Sequence, residues 1–488
     1  MEFYKINNKR HCNNYLTLIL ISIGVAAISC KKIIAVAPPI STIVGSQIYN
    51  SKSTAASVLT GIYFDMSTYS VFSGNSGLSI RSGLSGDELI SSASTSSLAN
   101  VLFTNALTNE GDQLFWPQLY SFIFRINAAI EGISASKGIT DEGKSQLLGE
   151  AKFLRAFMYF HLVNLYGDVP LLLSTDVKIN SLAPRIEKSA VYQQIIKDLL
   201  EAQNLLNDNY YAGNLETISA ERLRPNNSVA TALLSRVYLY TQQFALAEQE
   251  ASKLLTDGAY ELETLDGSFL KGSKEAIWQL QPVSPDINNT LDASVLILSI
   301  PPIGPNADSR PYYLSKNIFN SFELGDMRKT HWIDSVKVGI FTYPYANKYK
   351  LYLDQPRNEY LIVFRLAEQY LIRSEARAHL GKLVGDNSAI VDLNTIRQRA
   401  GLDASRAASQ QEILEAISRE RKVELFTEWG HRWFDLKRTG KIDEVMNIVS
   451  VQKGGMWAAY KSLYPIPVTD IQYNPTLRGH QNPGYPEN

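Results

Sequence analysis

The chain has 488 residues, 45% of them hydrophobic, and its 47 basic residues nearly balance its 48 acidic ones for a formal net charge of −1. This length and composition predict a folded protein of one large or two ordinary domains. The charge balance argues against nucleic acid and anionic lipid as partners.

Both cysteines lie at the N-terminus, which has the pattern of an export signal. The basic residues Lys5, Lys9 and Arg10 precede the apolar run 15–28, and the small residues Ala27 and Ser29 come just before Cys30. The run is shorter than the roughly 20 residues that a membrane-spanning helix needs. Because small residues followed by cysteine resemble a bacterial lipobox, we expect cleavage of a signal peptide, 1–29, and lipidation of Cys30. The alternative is an ordinary secretory signal with a chance cysteine.

The segment after Cys30 predicts a tether and then one helix. Residues 30–50 contain paired prolines and no clear period, as in an extended linker. A helix is expected at 52–66. Residues 67–113 are rich in Ser, Gly, Asn and Thr and predict long irregular loops, which in compact domains are often functional.

Helical periodicity is strong in the middle of the chain. Apolar residues recur at steps of three and four over 116–133 and over 149–167, where Gly167 ends the second helix. Residues 228–255 predict a helical hairpin that turns near Gln242 and packs small side chains against large ones. Such pairs resemble tetratricopeptide units, although the chain has no strict internal repeat.

The C-terminal half begins with a second irregular region, at about 260–360, in which EAIWQLQPV predicts a strand. Helices are then predicted at 365–381, 389–402 and 409–440. Each of the glycines Gly381, Gly401 and Gly440 stands where a C-terminal cap is expected. The predicted fold class is therefore mostly α, with tetratricopeptide-like helix pairs (an α/α superhelix), long irregular loops and minor β-structure.

Residues that could support catalysis are sparse. The six histidines form neither a cluster nor an HExxH motif, so no metal site and no cofactor are expected. Glu424 and Glu428 are one helical turn apart, and a glycoside hydrolase needs two carboxylates that flank a cleft. Adjacent turns present both groups to one side of a helix, which favours ion pairing. A secreted helical glycoside hydrolase is kept as an alternative.

Five stretches together resemble the SusD/RagB family of outer-membrane nutrient-binding lipoproteins from Bacteroidetes. They are GEAKFLRAFMYFHLVNLYGDVPL, RLAEQYLIRSEARAHLG, LNTIRQRAGL, ERKVELFTEWGHRWFDLKRTG and YPIPVTDIQYNPTLRGHQNPGY. The resemblance implies an N-terminal helical region at 51–260 and a C-terminal region at 261–488, packed as one body. It also implies a non-enzymatic protein that contacts the outer membrane through its lipid anchor only and faces the exterior.

The resemblance implies capture of a nutrient, most often a glycan, and its delivery to a SusC-like TonB-dependent transporter. A peptide-binding scaffold is a further alternative. Aromatic faces and planar polar side chains hold sugars, and the two irregular regions supply such groups. The predicted ligand-binding residues are Arg81, Asp87, Tyr312, Tyr313, Tyr343 and Tyr345. Trp116 and Trp433 lie on predicted helices and are assigned to the core.

Overall fold

The structure, a computed structural model, describes most of the chain from Ile48 to Glu487. The described residues are 48–68, 70–93, 97–109, 114–284, 286–287, 289–303 and 310–487. The predicted signal peptide, Cys30 and nearly all of the predicted tether lie outside them. Residues 49–488 form one compact unit.

Helices make up most of the regular structure. In chain order they are α1 (Lys52–Ser67), α2 (Leu78–Ser85), α3 (Leu98–Phe103), α4 (Trp116–Ala135), α5 (Asp141–Tyr166), α6 (Val177–Asn180), α7 (Lys188–Leu205), α8 (Asn227–Tyr240), α9 (Phe244–Leu255), α10 (Leu291–Leu296), α11 (Lys316–Phe319), α12 (Arg328–His331), α13 (Leu366–His379), α14 (Ala389–Arg399), α15 (Gln410–Glu424), α16 (His431–Arg438), α17 (Ile442–Gln452) and α18 (Val468–Tyr473).

The long helices pack one against the next along the chain. α4 packs on α5, α5 on α7, α7 on α8, and α8 on α9. The series continues from α9 to α13, which also contacts α14 and α15. Short connections join α4 to α5 and α8 to α9, as in tetratricopeptide-like helix pairs. The predicted mostly α fold class is confirmed.

The longest helix, α5, shows why these sequences form helices. The Thr140 side chain accepts a hydrogen bond from the Gly143 amide at 3.2 Å, and two acidic residues stand in the first turn, where the helix dipole favours them. The helix ends at Gly167, whose φ of +75° suits glycine. Its C-terminal half is almost entirely buried, as its apolar residues predict.

The strands form two-stranded antiparallel pairs within the described residues. They are β1 (Leu89–Ser91), β2 (Val169–Pro170), β3 (Arg185–Ile186), β4 (Ala276–Leu280), β5 (Tyr312–Leu314), β6 (Ile333–Val338), β7 (Phe341–Ala346) and β8 (Leu361–Arg365). β1 pairs with β5, β2 with β3, β4 with β8, and β6 with β7. The predicted strand EAIWQLQPV is β4. The β6–β7 hairpin lies inside the region predicted to be irregular, and β7 also contacts β5.

The prediction of long irregular loops over 67–113 is wrong in part, because α2, β1 and α3 lie there. Seven of the eight residues of α2 are buried in spite of its serines and glycine. The hydroxyl groups of these serines are bonded internally: Ser82 donates to the Leu78 carbonyl at 2.6 Å, and Ser85 bonds to the Tyr464 hydroxyl at 2.8 Å. Small hydroxyl side chains with internal partners can therefore be buried at low cost.

The single helix predicted over 409–440 is also wrong, because it is interrupted between α15 and α16. Thr427, Trp429 and Gly430 all have positive φ there. The Thr427 amide donates to the Glu88 carboxylate at 3.1 Å, and the Trp429 amide donates to the Ser79 hydroxyl at 2.9 Å. These tertiary bonds replace the intrahelical ones, so the chain turns and continues as a second helix.

Candidate ligand-binding site

The most accessible aromatic surface that the predicted residues form is one face of the β6–β7 hairpin. Side chains alternate along a strand, so Phe341, Tyr343 and Tyr345 of β7 point to the same face. We call these three residues the aromatic stripe. Phe341 is 61% exposed, Tyr343 is half-buried and Tyr345 is buried. The stripe therefore runs from solvent at the hairpin tip to the protein interior at its base.

Tyr313 of β5 extends the aromatic stripe sideways. Its ring meets the ring of Tyr343 edge to face, with centroids 5.3 Å apart and planes at 87°. Both side chains are half-buried, and burial together with Tyr343 raises the pKa of Tyr313. The Tyr313 hydroxyl is therefore neutral at physiological pH, and the two rings hold each other in place.

A carboxylate stands on the same hairpin face. Asp334 lies directly opposite Tyr345 in the β6–β7 register, and the Tyr345 hydroxyl donates to Asp334 Oδ2 at 3.0 Å. Burial and the Asp334 charge raise the pKa of Tyr345 to about 12. Asp334 itself is exposed, so an oriented hydrogen-bond acceptor lies beside the aromatic rings.

Tyr312, the neighbour of Tyr313, points to the opposite side of β5 and is buried. Its hydroxyl donates to Asn75 Oδ1 at 2.5 Å. Burial raises the pKa of Tyr312 to about 12, although the nearby Arg81 charge acts in the opposite direction. Tyr312 therefore lies on the side of β5 away from the stripe, within electrostatic range of Arg81.

Arg81 of α2 is half-buried, and its guanidinium lies 5.3 Å from the centroid of the Phe115 ring. This distance is within the range of a cation–π contact. Arg81 is therefore packed against an aromatic ring on the α2 side of the molecule. Its charge also acts on the pKa of Tyr312.

Asp87 lies in the interior. Both of its oxygens are bound by Arg432, at 2.7 and 2.8 Å, and Lys422 Nζ is 3.1 Å from Oδ2. Burial alone would raise the pKa of Asp87, but the Arg432 and Lys422 charges outweigh it and hold the pKa well below its usual range. These contacts argue for a positioning role, because Asp87 ties the segment before β1 to α15 and α16.

The two carboxylates that suggested a hydrolase lie in a buried ion network. Glu424 binds Arg365 at 2.5 Å and Arg328 at 2.9 Å. Glu428 binds Arg365 at 2.8 Å and Lys348 at 2.5 Å. Burial would raise the pKa of each carboxyl, but the facing cations lower both below the usual value. The predicted ion pairing is confirmed, and neither group resembles a general acid, whose pKa is raised.

The ion network also fixes the base of the hairpin. Lys348, two residues beyond β7, is buried and donates to the Glu424 carbonyl at 2.7 Å as well as to Glu428. Burial lowers the pKa of Lys348 to about 8, while Glu428 acts in the opposite direction. The aromatic stripe therefore projects from a rigid foundation. Among the described residues, no group of three or more His, Cys, Asp or Glu side chains could hold a metal ion.

Sequence reasoning missed two residues of this face, Phe341 and Asp334. The signal for Phe341 was present, because FTYPYA places an aromatic residue at every second position, as expected for a strand with one aromatic face. Asp334 had no such signal, since only the register of the hairpin places it opposite Tyr345. The assignment of Trp116 and Trp433 to the core is confirmed, because both are almost fully buried.

Two family models match the chain. The SusD family model covers residues 339–485, and a model described as starch-binding and associating with the outer membrane covers residues 41–239. SusD-like protein P2 of Formosa agariphila is 26% identical over 435 residues, covering 78% of this chain and 82% of that protein.

Solved structures share the fold. A laminarin-binding SusD-like protein superposes with a TM-score of 0.72 at 24% identity, covering 88% of this chain and 99% of that one. Surface glycan-binding protein A from Bacteroides uniformis gives a TM-score of 0.72 at 19% identity, covering 88% and 98% of the two chains. The chain belongs to the SusD/RagB family.

Proposed function

We propose that this protein binds a glycan on the hairpin face and delivers it to a SusC-like TonB-dependent transporter in the outer membrane. The names of its relatives support a carbohydrate ligand, because they include a laminarin-binding protein, a starch-binding protein and a surface glycan-binding protein. The observation that carries the proposal is the combination of the aromatic stripe, Tyr313 and the exposed Asp334 on one rigid hairpin face.

The chemistry of that face suits a sugar ring. The apolar C–H face of a pyranose can stack on the partly exposed rings of Phe341 and Tyr343, while Asp334 accepts hydrogen bonds from sugar hydroxyls. Tyr345 holds the carboxylate in place through its hydroxyl. A sugar held by ring stacking and few polar contacts should bind with a dissociation constant in the micromolar to millimolar range, or roughly −8 to −4 kcal/mol. Such weak binding suits a protein that must release its ligand.

The proposal includes no chemical reaction. A glycosidase needs a carboxylic acid with a raised pKa next to a second carboxylate across a cleft. Glu424 and Glu428 are instead bound by arginine and lysine side chains in the interior. We therefore expect purified protein to bind oligosaccharides without cleaving them.

The proposed location is the outer membrane, with the body facing the exterior. In this proposal the signal peptide is 1–29, Cys30 carries the lipid and residues 30–50 form the tether. The regions 51–260 and 261–488 then act together as the binding body. Among the described helices, none is long and apolar enough to cross a membrane.

A panel of soluble glycans tests the proposed function. Affinity electrophoresis in gels that contain laminarin, starch or other polysaccharides should reveal retarded migration with at least one of them. A matched gel with a peptide library coupled to an inert polymer tests the peptide-binding alternative. Retardation by peptides and by no glycan would contradict the proposal.

A further inference from the structure

A second exposed apolar surface lies far along the chain from the hairpin. Residues 173–182, which we call the apolar loop, contain α6 and expose four aliphatic side chains. Val177 is 70% exposed, Ile179 64%, Leu182 55% and Leu173 41%. Contiguous exposed apolar patches mark sites of interaction with proteins or membranes.

The apolar loop is held firmly in this exposed position. The Glu131 carboxylate accepts hydrogen bonds from the Thr175 amide at 2.8 Å and from its hydroxyl at 2.5 Å. Asp176 caps α6 by accepting from the Lys178 amide at 2.9 Å, and Asn127 donates to the Leu172 carbonyl at 2.9 Å. Side chains from α4 thus fix the backbone while the aliphatic groups face solvent.

The loop is close to the point where the compact body begins. The Tyr49 carbonyl accepts from the Ser136 hydroxyl at the end of α4, at 2.5 Å. Burial and the Glu131 charge raise the pKa of Tyr49, which places its hydroxyl within electrostatic range of the carboxylate that holds Thr175. Residue 49 and the apolar loop therefore meet the same last turns of α4.

The covalent tether limits how far this end of the body can be from the membrane. The chain from Lys31 to Ile48 has 18 residues, which span at most about 60 Å when fully extended. A body anchored through Cys30 therefore keeps the apolar loop within reach of the bilayer.

We propose that the apolar loop inserts into the membrane interface to which the protein is anchored. This inference rests on the proposed lipid anchor for its geometry. The exposed side chains of residues 173–182 are mainly aliphatic, which suits a lipid interface, where apolar side chains enter the boundary between headgroups and acyl chains. Asp176 and Lys178 cancel in charge, so insertion depends on the aliphatic side chains and is insensitive to salt.

A fluorescence experiment tests the insertion without relying on lipidation. The polypeptide from Lys31 to Asn488 keeps every core residue of the body and can be attached by an N-terminal histidine tag to phosphatidylcholine vesicles that contain a nickel-chelating lipid. The vesicles carry either ordinary or brominated acyl chains, which quench nearby tryptophan. The probe variant is Ile179→Trp, and the matched control is Leu324→Trp, at an aliphatic residue that is fully exposed on another loop.

The protein has six native tryptophans, so the emission of the introduced tryptophan is measured as the difference between the variant and wild type. In brominated vesicles, this difference should fall by roughly half for Ile179→Trp, because interfacial groups lie about 5–10 Å into the headgroup boundary. The tryptophan introduced by Leu324→Trp should lose none. As a second measurement, untagged Val177→Ser/Ile179→Ser protein should partition into vesicles about tenfold less than wild type, whereas Leu324→Ser should behave as wild type.

Equal emission of both probes in the two kinds of vesicle would overturn the proposal and indicate a protein partner for the loop. Because the tag replaces the lipid, this result is independent of Cys30. Failure of the anchor itself would appear separately, as a soluble wild-type protein in cell fractionation.

Discussion

Tyr313 and Tyr343 meet edge to face, with ring centroids 5.3 Å apart, although they belong to different two-stranded sheets. A pair in this geometry contributes about 0.5–1.5 kcal/mol beyond the area that it buries. The contact joins the β1–β5 pair to the β6–β7 hairpin, so each ring limits the movement of the other. The hairpin face that we propose binds the glycan is therefore fixed before the ligand binds.

The first prediction concerns the anchor. Cys30→Ala should release the protein from the membrane fraction and leave its melting temperature unchanged, because the core residues lie within the body that begins at Tyr49. Cell fractionation followed by circular dichroism measures both effects. A Cys30→Ala protein that still sediments with membranes would contradict the lipoprotein assignment.

Trp433 should matter for stability rather than for binding. Its side chain is almost fully buried and packs edge to face on Trp457 at 6.1 Å. Trp433→Ala should lower the free energy of unfolding by about 3–5 kcal/mol, as for other truncations of large core residues. Urea denaturation measures this loss, with Ile340→Ala at the exposed hairpin tip as the control. Equal stability of the two variants would show that Trp433 is not a core residue.

The ion network should be equally important to the fold. Glu428→Gln removes a charge that Arg365 and Lys348 face in the interior, and breaking a buried pair in this way typically costs about 3–5 kcal/mol. Glu444→Gln, which breaks an exposed pair with Lys441, should cost at most about 1 kcal/mol. Chemical denaturation measures the free energy of unfolding of both variants. If Glu428→Gln abolished a hydrolytic activity and kept full stability, the hydrolase alternative would gain support.

A buried acid predicts how stability changes with pH. Burial and the adjacent Asp87 raise the pKa of Glu88 from 4.5 to about 8. The folded protein therefore binds the proton more tightly than the unfolded chain does, and the stability that this proton provides is complete below pH 4.5. It is lost as the pH rises towards 8, at a rate of about 1.4 kcal/mol per pH unit at most.

Glu88→Gln should reduce the loss of stability between pH 4.5 and pH 8 and make the protein more stable than wild type at pH 8. The glutamine oxygen can still accept the Thr427 amide. Urea denaturation at pH 5 and pH 8 provides the comparison. Burial also raises the pKa of Asp292, to about 7. The free energy of unfolding should therefore still fall with pH to some extent in both proteins. Parallel profiles for the variant and wild type would show that Glu88 is ionised in the folded state.

Local patterns predicted the helical scaffold well, because its signals are short-range. The Gln242 turn has a φ of +58°, and Gly381, Gly401 and Gly440 have positive φ where caps were expected. These positions depend on periodicity and on the conformational freedom of single residues. The same reasoning failed at Thr427 and Trp429, where bonds to distant side chains interrupt the helix.

The site was only partly predictable for a related reason. Tyr313 and Tyr343 could be proposed because tyrosine-rich loops suit sugars, but their contact depends on the packing of β5 against β7. Asp87 stood in a serine-rich stretch that suggested an open loop. Its burial follows from Arg432 and Lys422, which come from the far end of the chain.

The most direct test of the account is calorimetric titration of Tyr343→Ala with a glycan that wild type binds. The variant removes one ring of the stripe and should weaken binding by about 1–3 kcal/mol, or roughly 5-fold to 150-fold. Its helical circular dichroism should be unchanged. Tyr211→Ala, at another partly buried tyrosine outside the hairpin, is the matched control and should bind as wild type does. Wild-type affinity in Tyr343→Ala would contradict the assignment of the glycan site to the hairpin face.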